Sequence, residues 1–264
     1  MHQMELLIEL YKQILSELKS QSFNLDHDKY SGVFLPVLGE EYQQAPCKIM
    51  LVGRETSGWN TKNNKNTMLR ALGRQEGITL DDVIEEAIVR YKKHQDDIAH
   101  MRTSRSHFMR YQLKLARELN LTPQAIMYAN LLAWDYDFKT PLRRPREERE
   151  EVIAASLKML EAQIKLSKPD FVIFASGIKK TGYIVKRLLK LHLNGYETVS
   201  VDPGRLWEFK SGGATCFQIA HPRAMRDHKK CRERVIERIK FIIAEKNRPE
   251  SDLCDTGIAC IQPG

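Results

Sequence analysis

Two kinds of apolar pattern alternate along the chain. Residues 4–18 place Leu6, Leu7, Leu10, Ile14 and Leu18 at helical spacing, which predicts an amphipathic helix. Residues 47–52 form a short unbroken apolar run that stops at Gly53, the pattern of a buried parallel strand. Residues 125–132 repeat that pattern, as do residues 171–175, which open after Pro169-Asp170 and close at Ser176-Gly177. Helical spacing predicts helices over 80–93, 105–119, 147–166, 181–191 and 227–246. A short strand is expected over 198–201. Residues 206–209 and 215–220 flank Ser211-Gly212-Gly213, a hairpin-turn signal, and the last strand runs out at Ala220-His221-Pro222. Residues 22–46 read as loop, punctuated by Pro36, Gly39 and Pro46, and the polar stretch 61–66 reads as an exposed loop.

Strands alternating with helices imply a parallel sheet covered on both faces. The expected fold class is α/β: a three-layer α/β/α sandwich around a central, mainly parallel four-stranded sheet. Residues 1–246 are read as a single domain carrying a helical insertion at about 62–124. Residues 247–264 are read as a disordered polar tail.

Composition narrows the class. The chain has 264 residues, enough for one well-buried core. No apolar run approaches the roughly 18 residues of a membrane span, and the first residues lack the features of a secretory signal, so a cytoplasmic protein with no membrane partner is expected. Cys47, Cys216, Cys231, Cys254 and Cys260 are odd in number and none are spaced C-x-x-C, which argues against a metal site or a disulfide frame. No metal and no cofactor are expected. The net charge of +8 favours a polyanionic partner. Between Ser176 and Lys246 there are 16 Lys/Arg against 7 Asp/Glu, a local bias of the kind phosphate binding uses.

In an open parallel sheet, ligands bind beyond the carboxyl ends of the strands. Gly53-Arg54-Glu55-Thr56-Ser57, Asn130, Ser176-Gly177 and His221-Pro222-Arg223 stand there. A carboxylate such as Glu55 can orient a water and stabilise a cationic sugar. An imidazole such as His221 can donate to the oxygen of a departing base. An amide such as Asn130 can read a base edge. Each also has a plain structural role open to it: Glu55 as a cap or ion-pair partner, His221 as a structural histidine, Asn130 as a turn residue.

The order of these pieces resembles the uracil-DNA glycosylase superfamily. Gly53-Arg54-Glu55-Thr56-Ser57-Gly58-Trp59 resembles its first motif, and Ala220-His221-Pro222-Arg223-Ala224-Met225-Arg226 its second. Tyr128-Ala129-Asn130-Leu131-Leu132 resembles the strand whose Asn reads a pyrimidine. The resemblance runs from about Lys48 to Lys230. It implies a uracil-DNA glycosylase-like fold and a monofunctional DNA glycosylase that flips a base out and leaves an abasic site. Glu55 would activate water, His221 would stabilise the leaving base, and Asn130 would read it. Met225 would be the apolar wedge filling the gap, with a core Met as the other reading.

Trp59 is the first choice for an aromatic that stacks on the base, with Trp134 and Tyr136 as rivals. Ser57 and Gly58 stand where strict uracil enzymes carry a blocking Tyr. Small residues there imply room for a larger, modified pyrimidine, such as the glucosylated cytosine of phage DNA, and hence an antiviral role. Arg54, Arg143, Arg144, Lys179, Arg223 and Arg226 are the expected DNA-phosphate contacts, alongside Met225. Two departures stand out: Thr56 replaces the motif's Pro, and Arg223 replaces the Ser after His-Pro. DNA, double- or single-stranded, is the expected partner, bound by a monomer. A nucleotide or nucleoside hydrolase and a non-catalytic DNA-binding member of the fold are the alternatives.

Overall fold

The computed structural model describes residues 2–60 and 67–248; the polar stretch 61–66 and most of the expected tail lie outside them. A helix α1 (His2–Ser16) and a short α2 (Glu40–Gln44) precede strand β1 (Ile49–Gly53). Then come α3 (Thr67–Ala71), α4 (Leu80–Ala99) and α5 (His107–Glu118), followed by β2 (Ile126–Asn130). The chain continues through α6 (Arg146–Ser167), β3 (Phe171–Phe174) and α7 (Gly182–His192). It closes with β4 (Glu197–Asp202), β5 (Leu206–Ser211), β6 (Ala214–Ile219) and α8 (Asp227–Lys246).

The sheet has six strands in the order β2-β1-β3-β6-β5-β4. β2, β1, β3 and β6 are parallel, with Gly53 opposite Asn130 and Ile173 opposite Phe217. This corrects the expected four strands. The β4–β5 hairpin adds two antiparallel strands beside β6: the turn at Gly212-Gly213, with positive φ at both residues, joins β5 to β6, and residues 203–205 turn β4 onto β5. All residues of β1, β2 and β3 are buried, so both faces of the parallel part are covered. α1 packs on α6 and α6 on α7. α5 and α8 are tied by Lys114–Glu233 and Lys240–Glu118 ion pairs.

The buried side chains form one contiguous core. Cys47, Cys216 and Cys231 are buried free thiols, and Cys254 and Cys260 lie outside the described residues. Among the described residues, no helix is long and apolar enough to cross a membrane.

The chain leaves β1 toward β2 on one side and then crosses to β3 on the other. The order therefore reverses at β1, and a crevice opens at its carboxyl end. The loop after β1 is held there by Asp135, a carboxylate with no solvent exposure. Its Oδ2 accepts from Thr56 Oγ1 (2.7 Å), Gly58 N (2.8 Å) and Trp59 N (3.4 Å). Its Oδ1 accepts from Phe138 N (3.1 Å). Its backbone is fixed in turn by Ser31, whose Oγ accepts from Asp135 N and whose N–H donates to Asp135 O, both at 2.9 Å. A buried charge is tolerated only with this kind of hydrogen bonding.

Asp135→Ala leaves four donors without their acceptor. It should lower the unfolding free energy by about 3–5 kcal/mol, read from urea unfolding, with Asp135→Asn losing less. A loss below about 1 kcal/mol for the alanine variant would remove Asp135 from this role.

Candidate active site

Two adjoining cavities open at the carboxyl ends of the parallel strands. The inner one, about 340 Å³, is walled by the loop after β1, by Tyr128 and Asn130 of β2, by His94 of α4, by the start of α5, and by His221 and Arg223 after β6. The outer one, about 590 Å³, adds Phe138, Lys139, Thr140, Arg143 and Ala224. Arg54, Glu55, Thr56, Ser57, His221 and Arg223 line both. Glu55 and His221 therefore border the same space.

Glu55 is bound by its neighbour. Arg54 Nε donates to both carboxylate oxygens at 2.6 Å, and the Glu55 side chain is almost fully buried. Arg54, read from sequence as a phosphate contact, spends its guanidinium on this pair.

His221 is fixed in tautomer. The Arg223 N–H donates to His221 Nδ1 (3.1 Å), so Nδ1 is an acceptor and the proton of the neutral ring sits on Nε2. Burial, helped by the nearby charges of Arg54 and Arg223, pushes His221 down to about 4. Near neutral pH it is an uncharged N–H donor.

Asn130 lies over Gly53, where any Cβ would collide with its Oδ1, so this approach requires glycine. Its Nδ2 donates to the Tyr128 hydroxyl (3.1 Å), and its Oδ1 is buried without a partner. Two further buried polar atoms on residues of the same wall also lack partners: Trp59 Nε1 and His94 Nε2. Burial, with Arg90 alongside, pushes His94 down to about 4 as well.

The remaining expected residues divide. Trp59 is 7% exposed, packs edge-on against Phe34, and carries the Arg90 guanidinium 4.4 Å from its ring centroid. It is a wall of the inner cavity rather than a free stacking face. Trp134 is fully buried. Tyr136 is clasped between Tyr30 and Arg144. Ser57 is exposed and lines both cavities, its Oγ donating to Phe138 O (3.3 Å). Gly58 lines neither: it has φ +77°, and a Cβ there would strike the Phe138 ring, so the room expected above it is already filled.

Arg143 and Arg223 line the outer cavity. Arg144 is bound to Glu148 (2.8 and 3.2 Å) and covers Tyr136, and so serves the fold. Lys179 is exposed on the loop after β3 and lines neither cavity; Arg226 is exposed just before α8. Met225 is 63% exposed, which excludes the core reading.

Sequence reasoning missed His94, Phe108 and Phe138. His94 and Phe108 sit on amphipathic helices and carry no signal beyond that of core positions. Phe138 carried no signal to set it apart from the nearby Trp134 and Tyr136. Among the described residues no group of three His, Cys, Asp or Glu side chains could hold a metal. No protein-family model matches the chain, and no curated protein matches its sequence.

The tautomer and the depressed pKa are checkable together. Long-range ¹⁵N–¹H spectra of the full chain at pH 7 should show His221 with Nε2 protonated and Nδ1 bare, and no titration of it between pH 8 and 5.5. Because His221 and His94 are both held below their unfolded value, their contribution to stability is complete above about 6.5 and is lost as pH falls toward 4. A His221 midpoint near 6.5 would contradict the neutral donor.

Proposed function

We propose that the protein is a monofunctional DNA glycosylase that hydrolyses the N-glycosidic bond of a flipped-out pyrimidine. The observation that carries the proposal is the pairing of Glu55 with a neutral, Nε2-protonated His221 on the walls of the same two cavities. The inner cavity is in the range that small ligands occupy, and its aromatic wall of Phe108, Tyr128 and Trp59 suits a planar base.

Departure of the base leaves positive charge on the sugar and negative charge on the base oxygen. Glu55 answers the first and orients the attacking water. His221 Nε2–H donates to the second without having to lose a charge. Asn130 Oδ1 is free to accept from an amino or imino N–H on the base edge. Water adds to the anomeric carbon as the carbon–nitrogen bond breaks. The base leaves with one proton from that water, and the sugar keeps the hydroxyl.

The outer cavity favours a polymer over a free nucleoside. Lys139, Arg143 and Arg223 line it, together with Arg54 bound to Glu55, the single carboxylate among the lining residues. Such a rim holds phosphates and gives salt-dependent binding. The substrate we favour is a pyrimidine larger than uracil, such as glucosylated hydroxymethylcytosine, in keeping with an antiviral role. Ser57 supports this, because it is a small residue open to the place where the two cavities join; Gly58 does not.

The test is abasic-site formation on duplex and single-stranded DNA carrying uracil, hydroxymethylcytosine or its glucosylated form. Wild type should cleave at least one of these. Glu55→Gln and His221→Ala should each lower kcat by about 10²–10⁴-fold while DNA binding persists. Absence of abasic product from every substrate would sink the glycosylase; preference for plain uracil would sink the larger base.

A further inference from the structure

Phe138 is a large apolar side chain in an unexpected setting. It is 62% exposed and lines the outer cavity among Arg54, Lys139, Arg143 and Arg223. It occupies the second central position of a two-residue turn, with Asp137 at φ 51° and Phe138 at φ 60°. Tyr136 and Lys139 close the turn by exchanging backbone hydrogen bonds of 2.8 and 2.9 Å. Such a turn favours Gly or Asn at these positions, and a bulky residue with positive φ is strained. The ring is nonetheless held in place: Phe138 N donates to Asp135, its carbonyl accepts from Ser57, and one side of the ring lies on the Cα of Gly58. The rest of the ring is open to solvent.

We propose that Phe138 is a stacking platform for a base that neighbours the excised nucleotide in the same DNA strand. The inference rests on the glycosylase reading of the site. A basic groove that tracks phosphates, interrupted by an aromatic face, is the arrangement that binds an unpaired strand without reading its sequence. Phe138 stands in the groove, not in the inner cavity, so the base it meets is a neighbour of the one at Glu55 and His221. Met225, equally exposed, follows Ala224 on the other segment that borders the outer cavity. The two apolar side chains thus stand on different loops, one suited to stack and one to wedge. Strain retained at an exposed aromatic fits a residue kept for binding rather than for folding.

The experiment is oligonucleotide binding by fluorescence anisotropy, with 2-aminopurine placed beside the target base, using the full chain and its Phe138→Gly, Phe138→Ala and Phe138→Trp variants. Phe138→Gly should melt at the same temperature or higher, because it relieves the turn, yet bind DNA about ten-fold more weakly, as loss of one base–aromatic stack does. It should raise KM and leave kcat at saturating DNA unchanged. The 2-aminopurine quenching should vanish in the glycine and alanine variants and persist with tryptophan. Unchanged affinity and quenching in both small variants would overturn the platform. So would a fall in kcat confined to modified bases, because Phe138 would then touch the excised base itself. A wild type that neither binds DNA nor makes abasic sites would defeat the glycosylase reading instead, and that outcome is visible before any variant is compared.

Discussion

One buried carboxylate sets the shape of the cleft. Asp135 gathers the loop after β1 with one oxygen and the turn after β2 with the other. Taking a carboxylate out of water costs several kcal/mol, and four short-range donors offset that cost only if all keep their geometry. The two segments are therefore coupled: neither can shift without stranding the charge. Thr56 is the first residue tied down, and Glu55 precedes it directly. The position of the carboxylate that faces the cavity follows from the position of the one that is buried. Ser57, bonded to Phe138, and Gly58, packed beneath the Phe138 ring, complete the link.

The electrostatics of the cleft point in one direction. Arg54 and Arg223 raise the local positive potential, and burial removes the water that would support another cation. Both effects hold His221 neutral. An imidazolium at this position would be repelled by the arginines already present. The Arg223 backbone amide fixes the ring and leaves the proton of the neutral imidazole on Nε2. Arg54 also binds Glu55, the one carboxylate among the residues lining the outer cavity.

What the sequence disclosed follows from how each element is stabilised. Strands β1, β2 and β3 are buried on both faces and read as plain apolar runs, so their ends, and the polar residues beyond them, were legible. The segments of β4, β5 and β6 were legible as strands, but their joining the parallel strands in one sheet was not: β4 is almost wholly exposed and is held only by its antiparallel pairing with β5. Helical periodicity tells which face of α4 and α5 is buried but not what it meets, so His94 and Phe108 looked like ordinary core positions. Trp59 was misjudged for a related reason: an aromatic on a loop suggests a free face, but Arg90 from α4 covers it. Asp135 had no legible signal, since an acid between Trp134 and Tyr136 gives no hint that four donors converge on it.

The inner wall holds an imbalance that the fold alone does not resolve. Asn130 Oδ1, Trp59 Nε1 and His94 Nε2 are all buried without partners, on residues that line one cavity. Buried polar atoms are nearly always paired, and each exception costs about 1–3 kcal/mol. An apolar ligand would leave the cost in place. On the glycosylase reading proposed above, an N–H on the base edge would answer the Asn130 oxygen. On that reading the unliganded wall itself would discriminate, because a base lacking the matching group would leave the oxygen as poorly paired as before.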